Sequence, residues 1–176
     1  MSAKPTVLVT GASTGIGAVY ADRFARRGHS LVLVARDLSR LEHLAHRLRR
    51  ETGVADRLRE DARIGVLVNS AGALVHGTFL DQTGSDLARL IALNVTALTR
   101  LANAIAPRIA AAGEGAIINI ASIVGLAPEI GLTVYGATKA FVLFLTQGLS
   151  VELGPKGVYV QAVLPSVTRT ELWERS

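Results

Sequence analysis

The chain has 176 residues, 49% hydrophobic and 19% charged, with no cysteine and with 19 Lys and Arg against 14 Asp and Glu, a formal charge of +5. That length and composition predict one soluble globular domain with a substantial core, and the lack of cysteine excludes disulfides, thiolate metal sites, iron–sulfur ligation and cysteine nucleophiles. No uninterrupted apolar run approaches the roughly 18 residues of a membrane span, and Met1–Pro5 lead straight into strand-like sequence, so no membrane partner and a cytoplasmic location are expected.

The predicted elements alternate along the chain. Thr6–Thr10 is a short β-branched apolar run, followed by a glycine-rich turn and by helical spacing over Ile16–Arg27, which Gly28 closes. Leu31–Ala35 is continuously apolar, as in a strand covered on both faces, and Leu38–Arg50 repeats the helical pattern with Leu41, Leu44 and Leu48 on one side. Three further strand-like runs follow at Gly65–Asn69, Ala116–Ile120 and Tyr159–Leu164, separated by helices expected at Asp86–Ala112 and Val134–Leu153. Such alternation predicts a doubly wound parallel sheet of about five to six strands with helices on both faces. No composition shift, repeat or low-complexity tract divides residues 1–176.

Eleven of the nineteen basic residues fall between Arg23 and Arg63, interleaved with Glu42, Asp56, Glu60 and Asp61. They read as a solvated helix face; without a set of interleaved stacking aromatics, no nucleic-acid partner is expected. His43 and His46 share a helix face, but no carboxylate and third ligand completes a site, and no metal is assigned.

The first turn reads Thr10-Gly11-Ala12-Ser13-Thr14-Gly15-Ile16-Gly17, placed between a strand and a helix. Glycine there permits a tight turn and close backbone approach, and the N–H groups of a helix start stabilise an anion, so a dinucleotide pyrophosphate is the natural ligand. An ordinary glycine-rich βα turn is the alternative. Further along stand Asn69-Ser70-Ala71-Gly72 after the third strand, Leu93-Asn94-Val95 in a helix, Ile120-Ala121-Ser122 at a strand end, and Tyr135-Gly136-Ala137-Thr138-Lys139. With only three lysines in the chain, the Tyr–Lys spacing alone is weak evidence. Together and in this order, from Thr6 to about Thr170, these motifs resemble the short-chain dehydrogenase/reductase family.

The resemblance implies a single NAD(P)-binding Rossmann-type domain. It implies hydride transfer between a nicotinamide and a small-molecule carbonyl or secondary alcohol. Tyr135 would be general acid/base, Ser122 would orient and polarise the substrate oxygen, Lys139 would also hold the nicotinamide ribose, and Asn94 would anchor a water leading to solvent. The cofactor would lie on Gly11, Ser13, Thr14, Gly15, Ile16 and Gly17, on Asn69, Ala71 and Gly72, on Tyr135 and Lys139, and on Pro165, Val167, Thr168 and Thr170. Chemistry supports the set: four residues apart on a helix, Tyr135 and Lys139 share a face, and an ammonium beside a phenol favours the phenolate. Ser122 at a strand end projects into the crevice such folds use for ligands. Taken singly, Ser122 also fits a turn hydroxyl, Asn94 a helix polar residue, and Tyr135 with Lys139 surface neighbours.

NAD sites commonly carry an acidic residue at the end of the second strand, where this chain has Ala35-Arg36. A 2′-phosphate finds a cation in Arg36, so NADP (NADPH) is preferred over NAD, with Asp37 as the opposing feature. The apolar circumference of helix 134–153, with the family resemblance, implies a homodimer or homotetramer through helices at about 86–112 and 134–153.

Two departures stand out. Between Leu48 and Gly65 the family pattern would place another strand bearing an aspartate near the adenine; the interval is too short, and Asp56 and Asp61 receive no adenine role. One βα unit near 53–57 is therefore expected to be lacking, which would uncover a sheet edge. Ser166 stands in place of a glycine in the cofactor loop, and the substrate-covering helices that would follow are not in the sequence. Of a naturally shortened relative, a deliberately cut chain and an incompletely seen larger protein, the last two are favoured, with a Cα gap beyond about 3.8 Å expected near Gly53–Arg57. The alternative function is a non-catalytic dinucleotide-binding or protein-interaction module.

Overall fold

A computed structural model describes residues 4–35 and 63–166. Five parallel strands, β1 (Thr6–Thr10), β2 (Leu31–Val34), β3 (Ile64–Asn69), β4 (Gly115–Ile120) and β5 (Val158–Val163), form one sheet in the order β2-β1-β3-β4-β5. The chain reverses direction of travel across the sheet at β1, so the order opens a crevice at the carboxyl ends of β1 and β3. This is a Rossmann-type doubly wound fold.

The continuous apolar runs follow from two covered faces. On one face Val7, Val9, Val66, Val68, Ile118 and Ile120 pack beneath α1 (Gly15–Arg26), whose Ala21 and Ala25 let the helix sit close. On the other face Leu67, Ile117 and Val158 pack against Ala102, Ile105 and Ile109 of α3 (Leu98–Ala112) and Leu153 of α4 (Thr133–Leu153). Between β3 and α3 lies α2 (Gly84–Ile91). Short 3-10 turns occupy Ile123–Leu126, Pro128–Ile130 and Gly154–Lys156.

The element boundaries differ in instructive places. α2 starts at Gly84 rather than Asp86 because Thr83 caps it, its Oγ1 accepting from Asp86 N at 3.2 Å. β5 runs one residue earlier than expected, from Val158 to Val163, and β2 ends at Val34. The expected single helix over 86–112 contains a π-helical stretch, Ala92–Ala97, between α2 and α3. Its cause is in the spacing of the buried residues: Leu90, Asn94, Leu98 and Ala102 recur every fourth position. In a regular α-helix each such step overshoots a full turn by about 40°, so the three steps carry these four residues off one face. The wider π turn absorbs the drift and keeps all four inward.

The continuous helix Gly84–Ala112 is long enough to cross a membrane and has an 18-residue window of mean hydropathy 1.3, although its apolar residues are interrupted. In the fold it lies along the sheet with Asn94, Leu98, Ala102, Ile105 and Ile109 buried. The helix expected at Leu38–Arg50, His43 and His46, and the Gly53–Arg57 join lie outside the described residues.

Candidate active site

The glycine turn is shaped by contacts a side chain would forbid. Gly11 has φ +65°, and a Cβ there would lie 2.8 Å from Ala71 N. A Cβ on Gly17 would lie 2.3 Å from the Gly11 carbonyl oxygen. The turn thus folds back onto the first turn of α1, where Ser13, Thr14 and Ile16 are half-buried. Thr14, at the N-cap, is extended, its side chain makes no cap hydrogen bond, and no acidic residue lies in the first turn. The positive end of α1 is left uncompensated, as an anion site requires.

Thr10, which the sequence reading did not single out, ties this turn to its neighbour. Buried at the end of β1, its Oγ1 accepts from Ser70 N at 3.0 Å and Ala71 N at 3.1 Å. It thereby fixes the backbone after β3 against Gly11. A hydroxyl at the last residue of a strand, just before a glycine turn, was the available signal.

Ser122 follows β4 in extended conformation, buried, with its Oγ accepting from Val124 N at 3.3 Å and 3.5 Å from the Pro165 carbonyl oxygen. Pro165 is therefore brought to the serine. Tyr135 and Lys139, on one face of α4, are both buried, with the Lys139 Nζ 5.6 Å from the Tyr135 ring centroid. Burial raises the Tyr135 phenol above its ordinary value, and a hydrogen bond with the Ser122 side chain opposes that rise. The expectation that Lys139 makes this phenol acidic is not met here. Its ammonium donates instead to the Ile120 carbonyl at 2.8 Å, and burial dominates the phenol.

Burial lowers Lys139 from 10.5 to about 8. The sign of its effect on stability follows: below about pH 8 the folded protein holds a desolvated ammonium and bears the full penalty. Between about 8 and 10.5 the folded lysine is neutral while the unfolded one still binds a proton, so this group makes stability rise with pH. Lys139→Met is expected to flatten that rise relative to wild type, as read from melting temperatures at pH values spanning the window.

Asn94 is fully buried and its side chain is committed to the scaffold. Its Oδ1 accepts from Ala73 N at 2.8 Å, and its Nδ2 donates to Ala73 O at 2.9 Å and Thr138 Oγ1 at 3.1 Å. Thr138 in turn donates to the Tyr135 carbonyl at 2.7 Å. Asn94 thus clamps the Gly72 loop to α4; its side chain contacts neither Tyr135 nor Lys139 by hydrogen bond. Gly72 sits between these groups: a Cβ there would lie 3.5 Å from Asn94 Oδ1 and 3.6 Å from Lys139 Nζ.

Asn69 turns away from the crevice. Its Nδ2 donates to Asn119 Oδ1 on β4 at 2.9 Å and lies 3.5 Å from the Leu98 carbonyl oxygen. Asn119 Nδ2 donates to Thr146 Oγ1 of α4 at 3.0 Å. Each amide left unpaired in such a core would cost about 1–3 kcal/mol, so these pairings are structural requirements of the sheet–helix interface. The side-chain amide of Asn69 is accordingly committed to the core. Arg36, Val167, Thr168 and Thr170 lie outside the described residues.

The fold and this cluster define a class: a doubly wound α/β protein with an uncapped glycine turn and a Ser–Tyr–Lys group at the same sheet edge. A family model described as short chain dehydrogenase matches residues 5–62 and 51–176. The chain belongs to the short-chain dehydrogenase family. It is similar to a short-chain dehydrogenase from Sphingobium yanoikuyae solved in complex with NADPH, at 61% identity and TM-score 0.94, covering 98% of this chain and 74% of that one. The bulky-bulky ketone specific alcohol dehydrogenase from Comamonas testosteroni is 58% identical, with TM-score 0.91, covering 94% of this chain and 73% of that one. The very-long-chain 3-oxoacyl-CoA reductase of Bos taurus is 35% identical over 186 residues, 94% of this chain and 60% of that protein. The chain thus spans less than two thirds of the length of the curated relatives it matches.

Proposed function

We propose that this chain is an NADP-dependent oxidoreductase that interconverts a ketone or aldehyde and the corresponding secondary or primary alcohol. The observation that carries the reading is the convergence of three buried side chains, Ser122 after β4 and Tyr135 and Lys139 one helical turn apart on α4, at the sheet edge that bears the glycine turn. A nicotinamide cofactor held at that turn would supply the hydride in reduction and accept it in oxidation. Tyr135 gives its proton to the substrate oxygen as the carbon is reduced, and takes it back in oxidation. Ser122 hydrogen-bonds the same oxygen and polarises it. Lys139 holds a cation near the ribose, and Asn94 acts by positioning the Gly72 loop and, through Thr138, the Tyr135 backbone.

The backbone cradle fits a pyrophosphate: Gly11 and Gly17 leave no room for side chains, and the α1 N–H groups are uncapped. NADP over NAD is supported by the Sphingobium relative, solved with NADPH, and by Arg36 after the second strand. Loss of one charge-assisted contact to a 2′-phosphate is worth roughly ten- to a hundredfold in affinity. Arg36→Ala is therefore expected to weaken NADPH binding by that factor and leave NADH binding unchanged, by fluorescence titration. Equal effects on both would remove the assignment. Consumption of NADPH on a panel of ketones and aldehydes tests the activity. An uncharged, apolar ketone suits the wall after Ser122, where Ile123, Leu126 and Ile130 are exposed, and the Comamonas relative is a bulky ketone enzyme. Binding of NADPH without turnover would favour the non-catalytic module, which the intact Ser–Tyr–Lys cluster disfavours.

Residues 1–176 form one NAD(P)-binding domain, short of one βα unit near 53–57. The two family matches meet at residues 51–62, which supports it. A cytoplasmic homodimer or homotetramer is proposed on the exposed stripe Ala137, Phe141, Phe144, Gly148 and Val151 of α4, spaced three or four residues apart, with Phe144 and Val151 79% and 77% exposed.

A further inference from the structure

We propose that Asn119 and Thr146 are positioning residues that set the height of α4 against the sheet, and so decide whether the Tyr135 hydroxyl meets Ser122. The inference rests on the functional reading above and goes beyond it to residues outside the Ser–Tyr–Lys set. Asn119 is completely buried in β4, between Ile118 and Ile120, where an aliphatic residue is the ordinary choice for a strand covered on both faces. It is registered directly beside Asn69 of β3, accepts from it at 2.9 Å, and donates to Thr146 of α4 at 3.0 Å. Thr146 closes the chain by donating to the Val142 carbonyl at 2.6 Å.

This rung joins the elements that carry the site, at one depth. Asn119 precedes Ser122 by three residues of extended chain, about 10 Å. Thr146 follows Lys139 by seven residues of helix, again about 10 Å. Tyr135, Lys139, Val142 and Thr146 form one buried stripe of α4, so a displacement at the rung is transmitted along a rigid helix to Tyr135. The apolar contacts of α4 with the sheet are non-directional and tolerate sliding. A pair of 3 Å hydrogen bonds does not. The rung is also kept at a cost: Asn69 Oδ1 is buried with no hydrogen-bond partner among the described residues, a penalty that an aliphatic pair at these positions would avoid. Buried polar groups retained in that way serve registry in the best-attested cases.

Thr146→Val keeps the shape of the side chain and deletes the hydroxyl. The variant is expected to bind NADPH with wild-type affinity while kcat for ketone reduction falls tenfold or more, a scale set by the roughly hundredfold cost of a 1 Å misplacement. Ultraviolet difference titration of the phenol, with Tyr135→Phe as the blank, is expected to move upward, because burial persists while the Ser122 hydroxyl that opposes its effect is drawn away. Thr146→Ser is expected to restore both. Unchanged kcat and an unchanged phenol titration in Thr146→Val, whatever its melting temperature, overturn the inference. Failure of Thr146→Ser to restore them does so too. Should valine unfold the chain, Thr146→Ala is read in the same way. If the wild-type chain turns over no carbonyl compound, the functional reading falls, and the phenol titration alone decides the positioning role.

Discussion

Tyr135→Phe is expected to lower kcat for the proposed NADPH-dependent ketone reduction by about 10²–10⁴-fold, the usual worth of a positioned acid or base, and to leave NADPH binding and the melting temperature near wild type. The phenol is buried, so the benzene ring of phenylalanine keeps its packing against Leu74, Leu90 and Val124. Ser122 keeps its bond from Val124 N. What disappears is one proton at the sheet edge. Because burial holds the phenol above its ordinary value of 10, wild-type Tyr135 is protonated throughout the neutral range, which is the form that reduction consumes. Oxidation of an alcohol needs the phenolate, so its rate is expected to climb with pH while reduction stays level. A variant that retained full kcat would show that the proton comes from elsewhere, and steady-state rates with NADPH binding measured in parallel separate that outcome from simple unfolding.

Much of this was legible in the sequence, because the signals were local. A β-branched run such as Thr6–Thr10 before a glycine turn needs no tertiary information to be read as a strand entering a helix. Four-residue spacing puts Tyr135 and Lys139 on one face of α4 whatever surrounds it. What escaped depended on the third dimension. The sequence offers an ammonium four positions from a phenol; only the fold shows that the amine reaches past it to the Ile120 carbonyl and that burial raises the phenol. Asn69 looks like a crevice residue because its motif ends at one, yet strand alternation turns its side chain onto the α3–α4 side, level with Asn119. The π turn was encoded in the unbroken four-residue recurrence of Leu90, Asn94, Leu98 and Ala102, a period too long for a regular helix, and reads only once those positions are known to be buried.

Three asparagines and two threonines form the framework behind the Ser–Tyr–Lys group: Asn94 with Thr138 ties one end of α4 to the Gly72 loop, and Asn119 with Thr146 ties it lower down, with Asn69 completing the lower layer. Lys139 lies between the two ties, and Tyr135 lies three residues before Thr138, which donates to its carbonyl. Preorganisation of that kind costs buried polar groups and returns a proton donor aimed at one place.

Gly17→Ala is expected to abolish useful NADPH binding. At Gly17 the backbone needs no left-handed conformation, so the effect is purely one of space. The added methyl would lie 2.3 Å from the Gly11 carbonyl oxygen and 3.2 Å from Ser70 Oγ. The first contact is with backbone, which cannot rotate aside, so either α1 lifts or the Gly11 turn opens. Opening is resisted because Gly11 itself is wedged against Ala71, whose N–H is held by Thr10. α1 therefore moves, and with it the N–H groups that would face a pyrophosphate held at this turn. Losing two charge-assisted hydrogen bonds at about 1.5–3 kcal/mol each weakens binding roughly a hundredfold or more, and overpacking costs a further 1–3 kcal/mol or about that in stability. Fluorescence titration with NADPH reads the first effect and thermal melting the second. Because the two are measured separately, a variant that melts lower but binds NADPH as tightly as wild type would locate the phosphate somewhere other than this turn.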